Sequence, residues 1–350
     1  MPERVIREGT HPFRPRPRLS PLLRRPAVLL AAVILLALCI LASLFVGSSR
    51  IPADQVAHYL LHPDASNVSY NINVLRVERT IIGVLVGAAL AVSGAVMQAV
   101  TRNPLAEPGL LGVNAGASLG IVLGTAALGV LPVPGQLLLA AGGALVATAL
   151  VQVIGMIGGS TSSPVRLVLI GVAFSAFAGA VIRGVVLTMP NLFRTFIDWE
   201  VGSLTRADIP LSAMTLLVAL GTGAALLLAG ALDNIALGDD VAAALGTRVG
   251  LVRGLSLAVI TLLCATATTV AGPIGFVGLM APLTASWLMG PHRGWIVALC
   301  ALGGPVVVLA ADVLGRVLAR PGEMQVGLLT AFVGSPVLLL MVLRMKDRAS

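Results

Sequence analysis

Charge along this chain is confined to short stretches, and long uncharged runs lie between them. Pro26–Ser49 is one such run and Thr80–Thr101 the next. About 20 mainly apolar residues in a helix cross the hydrocarbon core of a bilayer, so each run predicts a membrane-spanning helix. Pro108–Val165 carries no charge and is long enough for two helices. The prolines and glycine of Leu131-Pro132-Val133-Pro134-Gly135 divide it into about 110–130 and 136–157. Leu167–Leu187, interrupted only by Arg183, is a fifth span, and Ile209–Leu232 a sixth. Gly254–His292 is again too long for one crossing, and Gly272-Pro273-Ile274-Gly275 splits it into a seventh helix and a short eighth. Gly294–Ala311 and Met324–Leu343 complete the series. The pattern predicts an all-α, polytopic membrane protein with ten transmembrane helices. They form one domain over 26–345, behind an Arg/Pro-rich tail at 1–25.

Composition agrees with this reading. Hydrophobic residues make up 57% of the chain and charged residues 11%, against about 25% charged in soluble domains. An ordinary water-soluble enzyme and a disordered chain are both excluded. Cys39, Cys264 and Cys300 lie in apolar runs, and His11, His58, His62 and His292 are scattered. Neither set has the spacing of a disulfide framework or a metal site, so no metal or cofactor is expected. The net charge of +8 does not point to nucleic acid, because seven of the 23 basic residues are Arg4, Arg7, Arg14, Arg16, Arg18, Arg24 and Arg25. This tail reads as a cytoplasmic segment facing anionic lipid. The apolar run behind it exceeds the core of a signal peptide, so the first span is expected to be uncleaved.

Basic residues also set orientation. The tail and the C-terminal Arg344, Lys346 and Arg348 place both termini in the cytoplasm, as an even number of spans requires. The internal segments go the other way. Arg102, Arg166, Arg248, Arg253 and Arg293 fall inside, while Arg50, Arg76, Arg79, Arg183, Arg194, Arg206, Arg316 and Arg320 fall outside. The outer arginines therefore need a role that outweighs the orientation rule.

Small residues recur at helical spacing, as Gly83, Gly87, Ala91 and Ala95 and again as Gly112, Gly116, Gly120 and Gly124. Such ridges let helix backbones approach closely in lipid; pore lining is the alternative role. Val92-Ser93-Gly94 is echoed by Val270-Ala271-Gly272, and Pro104-Leu105 by Pro282-Leu283, a faint repeat of the kind that inverted-topology transporters carry. No phosphate-binding loop and no nucleophile elbow appears. Asp312 is the acidic candidate within a span, and Arg316 one turn on is placed to pair with it. The chain thus has the architecture of a translocator without an energy source of its own. In the loop 233–253, Asp239 and Asp240 suit a helix start, Val241–Leu245 continues it, and Gly246 ends it. A second loop, 188–209, with Trp199, Gly202 and Ser203, is expected to hold a short interfacial helix on the outer side.

Two blocks are specific. Gly87–Gln98 runs into Arg102-Asn103-Pro104-Leu105-Ala106-Glu107-Pro108-Gly109, with Gly112 and Gly116 beyond it, and Ala271-Gly272-Pro273-Ile274-Gly275-Phe276-Val277-Gly278-Leu279 follows later. With Trp199-x-x-Gly202-Ser203-Leu204, Leu237–Gly246, Asp312-x-x-x-Arg316 and Val326-Gly327-x-x-Thr330-Ala331, they resemble the FecCD-type permeases from about Arg76 to Arg344. These are the membrane subunits of bacterial ABC importers for ferric siderophores, haem and cobalamin. The resemblance implies the ten-helix fold of BtuC, the cobalamin permease, and an inner-membrane location. It also implies a pair of permease subunits, two cytoplasmic ATPases and an extracytoplasmic binding protein.

The ATPase contact would fall on Asp239, Asp240, Ala244, Leu245, Gly246 and Arg248, and the binding protein's acids on Arg76, Arg79 and Arg316. The fifth and tenth helices would line the path, with Gly171, Ser175, Thr330 and Gly334 as candidates. The chain departs from the family pattern at Glu78, where proline is usual, at Leu283 for histidine, at Asp239 for glutamate, and at Met324-Gln325 for Leu-Pro. The reading is a passive permease, not itself an enzyme, for a ferric siderophore, with cobalamin or haem as the other cargoes. A secondary carrier would need acidic or histidine residues in mid-span and an intramembrane enzyme a catalytic cluster, and the sequence shows neither.

Overall fold

The computed structural model describes residues 21–49, 51–156, 164–189, 196–197, 199–205, 210–320 and 322–349. The first twenty residues, with most of the basic tail, lie outside these, as does much of the loop 188–209, including Arg194, Asp198 and Arg206.

Among the described residues the secondary structure is helical throughout. Helix α1 spans Pro21–Phe45. Two short helices, α2 (Ala53–Leu61) and α3 (Asn67–Tyr70), follow. A π-helical stretch, Asn71–Arg76, leads without a break into α4, Val77–Thr101. A 3-10 turn over Pro108–Leu111 precedes α5 (Val113–Leu128), then come α6 (Val133–Met156) and α7 (Pro164–Thr188). Next are α8 (Leu211–Ala236), the short α9 (Asp239–Ala244) and α10 (Val249–Ala271). The chain ends with α11 (Val277–Met289), α12 (Arg293–Leu318) and α13 (Val326–Ala349).

Seven of these helical stretches are long and apolar enough to cross a membrane, and three shorter apolar helices, Val113–Leu128, Val277–Met289 and Val326–Leu340, accompany them. Together they are the ten elements expected, and the eighth is short as read. The boundaries differ at several ends, as where the ninth element runs on to Leu318, and most of all at one place. The second element reaches back to Asn67, because Ser66 caps the helix there by accepting a hydrogen bond from Ser69 N. Helices α2 and α3 were not foreseen in the polar stretch before it.

Helix α4 is the axis of the molecule. It is surrounded, and nearly every residue from Ile82 to Val100 is buried. Its sequence allows this because one face carries almost no side chain. A Cβ on Gly87 would overlap the backbone of Gly304 and Pro305 in α12, and one on Gly94 would overlap the carbonyl of Gly278 in α11. The second ridge packs α5 on α6, where Gly116 and Gly120 meet Gly143. Both ridges serve close helix approach. The echoed residues do not occupy matching places, since Val92–Gly94 lies inside α4 whereas Gly272 ends α10 with φ +75°.

Candidate functional sites at the two ends of the bundle

One end gathers the outer arginines. Helix α1 ends without a basic residue in its last turn, leaving carbonyls without helical partners. Arg76 Nη1 donates to Leu44 O at 3.0 Å and Phe45 O at 3.3 Å, and its Nη2 to Ser49 O at 3.1 Å. Arg316 Nη1 donates to Ser43 O at 2.8 Å and Val46 O at 3.0 Å, and Arg320 Nη2 to Gly47 O at 2.9 Å. The cations that the C-terminal end of a helix favours thus come from other helices. Ser43 and Thr80 hydroxyls, 2.7 Å apart, add a further tie between α1 and α4.

Arg79 faces Asp312, with Nε at 3.0 Å from Oδ1 and Nη2 at 2.7 Å. Its Nη1 meets Glu323 at 2.5 Å. Asp312 also pairs with Arg316, the i,i+4 partner expected. Arg76, Arg79 and Arg316 are all buried. Burial alone would raise the pKa of Glu323, but hydrogen bonds from Arg79 and Ser48 hold it below its ordinary value. For Arg76, Arg79, Arg316 and Arg320 the charge anomaly therefore has an internal explanation. These arginines tie α1, α4 and α12 together. A cavity of about 160 Å³ opens beside them, walled in part by Ser49, Arg76, Glu78, Arg79 and Arg316.

The opposite end holds the loop after α8. Helix α9 starts at Asp239 and its chain turns at Gly246, with φ +82°. Asp239 is held by Arg102, which follows α4, and by Arg253 of α10 at 3.0 Å. Asn234 Nδ2 donates to Thr247 Oγ1 at 2.9 Å, closing the loop's base. Only Ala242 of α9 is buried. Asp240, Ala244, Leu245, Gly246 and Arg248 are exposed, with Leu245 at 58%. A rigid, presented knob of this kind suits contact with another protein.

Between the two ends lies a crossing that the sequence did not reveal. Asn103 Oδ1 accepts from Leu105 N at 3.0 Å and turns the chain after α4. Asn103 and Pro104 stay exposed, while Pro108 is buried at the first position of the 3-10 turn. Glu107 then reaches the break between α10 and α11, where its Oε1 accepts from Phe276 N at 3.0 Å. Phe276 has φ +68°, a left-handed conformation rare for a bulky residue. The carboxylate thus sits at the start of α11. Burial raises its pKa, against the lowering effect of the Phe276 N–H. Gly275 lies beside Glu107, and Gly272 lies against the Trp199 carbonyl, too close for a Cβ. Gly202 approaches Pro273 O in the same region. Gly109 meets Asn114, whose Oδ1 accepts from Thr268 at 2.8 Å. The sequence offers one signal for this crossing, a lone acid within an otherwise uncharged turn.

Three of the four lining candidates, Gly171, Thr330 and Gly334, are buried within the described chain. Gly171 abuts the Leu110 carbonyl and Gly334 abuts Phe276, with no room for a Cβ at either. Thr330 is buried and donates to Gly327 O at 3.0 Å. Ser175 donates to Gly171 O at 2.8 Å and is half-buried. Gly171, Thr330 and Gly334 therefore pack within this chain, because a missing or small side chain is what admits the neighbouring backbone or ring. The outward faces of α7 and α13 carry Leu169, Phe177, Leu328 and Phe332 instead.

A bundle of apolar helices with a broken-helix crossing and a presented loop at one end defines a polytopic membrane protein. The chain belongs to the FecCD transport family, whose family model matches residues 35–344. It is 42% identical over 320 residues to the ferric enterobactin transport system permease protein FepD of Escherichia coli (strain K12), covering 91% of this chain and 94% of that protein. It is 34% identical to the vitamin B12 import system permease protein BtuC of Vibrio vulnificus (strain CMCP6), over 83% and 89% of the two chains. Among solved structures it resembles an inward-facing conformation of a metal-chelate type ABC transporter. The TM-score is 0.79 and the identity 25%, over 91% of this chain and 99% of that one.

Proposed function

We propose that this chain forms the translocation path for a ferric siderophore in an ATP-driven importer of the inner membrane. The observation that carries the reading is the 42% identity to a ferric enterobactin permease along nearly the whole of both chains. The chain would work as one of two permease subunits, with two cytoplasmic ATPases and an extracytoplasmic binding protein. Both termini would face the cytoplasm. In that orientation the loop from Asp239 to Arg248 meets an ATPase. Its exposed apolar residues and its anchoring at Asp239 support this role.

The binding protein would dock at the opposite end. Arg76, Arg79 and Arg316 are engaged by the chain itself, so an acidic side chain would reach them through the adjoining cavity, past Glu78. The exposed apolar faces of α7 and α13 would meet the second permease and wall the path. Uptake of iron-55 siderophore by cells that depend on this chain and its partner subunits tests the cargo. Uptake of haem or cobalamin, with none of ferric siderophore, would replace it with one of those cargoes.

A further inference from the structure

Helix α1 leaves a groove against α11, α12 and α13 at the end of the bundle that also carries Asp239. Its volume is about 380 Å³, and its walls include Val28, Leu35, Ala281, Leu288, Leu299 and Val337. From Val28 to Leu35 is about 10 Å along a helix, and the hydrocarbon core is about 30 Å thick, so the groove is short enough to fit within one leaflet. Its lining holds no charged residue.

The end of the groove is cationic. Arg24 lies one turn before Val28, and its Nη2 is 3.5 Å from the carbonyl of Trp287, which adjoins Leu288. Arg25 sits over the Trp295 ring, 6.0 Å from its centroid, and Trp295 is one turn before Leu299. Among the described residues, neither arginine forms an ion pair with a carboxylate. Tryptophan is enriched at the level of lipid headgroups, and arginine near a helix end reaches the same level. Basic pockets between helices on the cytoplasmic side take anionic headgroups.

We propose that this groove is a binding site for an anionic phospholipid, which in the orientation proposed above belongs to the inner leaflet. An acyl chain lies along α1 between Val28 and Leu35, and the headgroup phosphate meets Arg24 and Arg25. A phospholipid meets both demands in one molecule, since the groove takes hydrocarbon and the rim takes a negative charge. Free phosphate would leave the groove unfilled.

Native mass spectrometry of the full chain in detergent, titrated with dioleoyl phosphatidylglycerol or dioleoyl phosphatidylcholine, tests this. The wild type is expected to retain phosphatidylglycerol preferentially, and a large excess of glycerol 3-phosphate is expected not to displace it. Arg24→Gln with Arg25→Gln should weaken phosphatidylglycerol by up to about thirtyfold and phosphatidylcholine, whose choline offsets the phosphate charge, by much less. A Cβ on Gly303, a groove residue, would meet nothing within 4 Å, so the side chain of Gly303→Leu starts into open space, occupies part of the groove and should reduce binding of both lipids. Three results would overturn the proposal: equal retention of the two lipids by the wild type, unchanged retention by the double variant, or displacement by glycerol 3-phosphate. A dimer lost in Gly303→Leu while lipid retention stays at the wild-type level would also overturn it and assign the groove to a second copy.

Discussion

Arg79 grips Asp312 through both Nε and Nη2, joining α4 to α12 across 233 residues of sequence. Asp312 is fully buried, and Arg316 satisfies its other oxygen. Removing one member of such a pair leaves a charge in a medium that cannot solvate it, at a cost of about 3–5 kcal/mol. Arg79→Ala and Asp312→Ala should each lower thermal stability in detergent to that extent. Arg79→Ala combined with Asp312→Ala should cost less than the sum of the single changes. Strict additivity in this cycle would show that the pair is not coupled.

The packing of α4 depends on absent side chains. Gly94→Val would drive a methyl group into the Gly278 carbonyl, and over-packing costs about 1–3 kcal/mol or more. Gly223 in α8 has nothing within reach of a Cβ, so Gly223→Ala should be neutral or stabilise by about 0.5–1 kcal/mol. Melting temperatures of the two variants should move in opposite directions. Gly334→Trp, which strikes Phe276, should behave like Gly94→Val.

Reversal of Asp239 and Asp240 to lysine should uncouple transport while leaving the chain folded. The Arg102 and Asp239 side chains are 39% and 42% exposed, and pairs of that kind contribute about 0–1 kcal/mol. Expression and melting should stay near wild type while siderophore uptake with partner subunits falls steeply. Wild-type uptake in the double variant would remove this loop from the ATPase contact.

Glu107 should make stability depend on pH. Its native pKa is raised above 4.5, so within that window the folded chain binds more protons than the unfolded one. Stability therefore falls as pH rises from the ordinary glutamate value through the native one. Glu107→Gln keeps an acceptor for Phe276 N and cannot ionise. The variant should lose this part of the pH dependence, read as melting temperature against pH.

The end of the bundle that carries Arg76 should tolerate change at Glu78 better than at the arginines beside it. Arg76→Glu and Arg316→Glu each release carbonyls at the end of α1 and place an acid among them, so each should reduce both stability and binding-protein affinity. Glu78 has no ion-pair partner among the described residues, and Glu78→Gln should leave folding intact. Affinity for the binding protein at two salt concentrations checks the docking role, and melting checks the capping role.

The sequence by itself determined the all-helical class and the ten apolar elements, because lipid forces each crossing segment to be long, apolar and internally hydrogen-bonded. It also placed the helix from Asp239 to Ala244, whose start and stop depend on neighbouring residues alone. The pairing of Asp312 with Arg316 was legible for the same reason, since both lie on one helix face. The role of Arg76, Arg79 and Arg320 was decided only in three dimensions. Their partners are the end of α1, Asp312 and Glu323, distant in sequence, and nothing in local spacing reports which helix end lies nearby. The same holds for Glu107 and Phe276. A carboxylate in one turn and a strained amide in another become a pair only when α4, α5, α10 and α11 are packed. Tertiary contact also turned Gly171 and Gly334 inward, because a helix of uniform apolarity does not encode which of its faces meets its own chain.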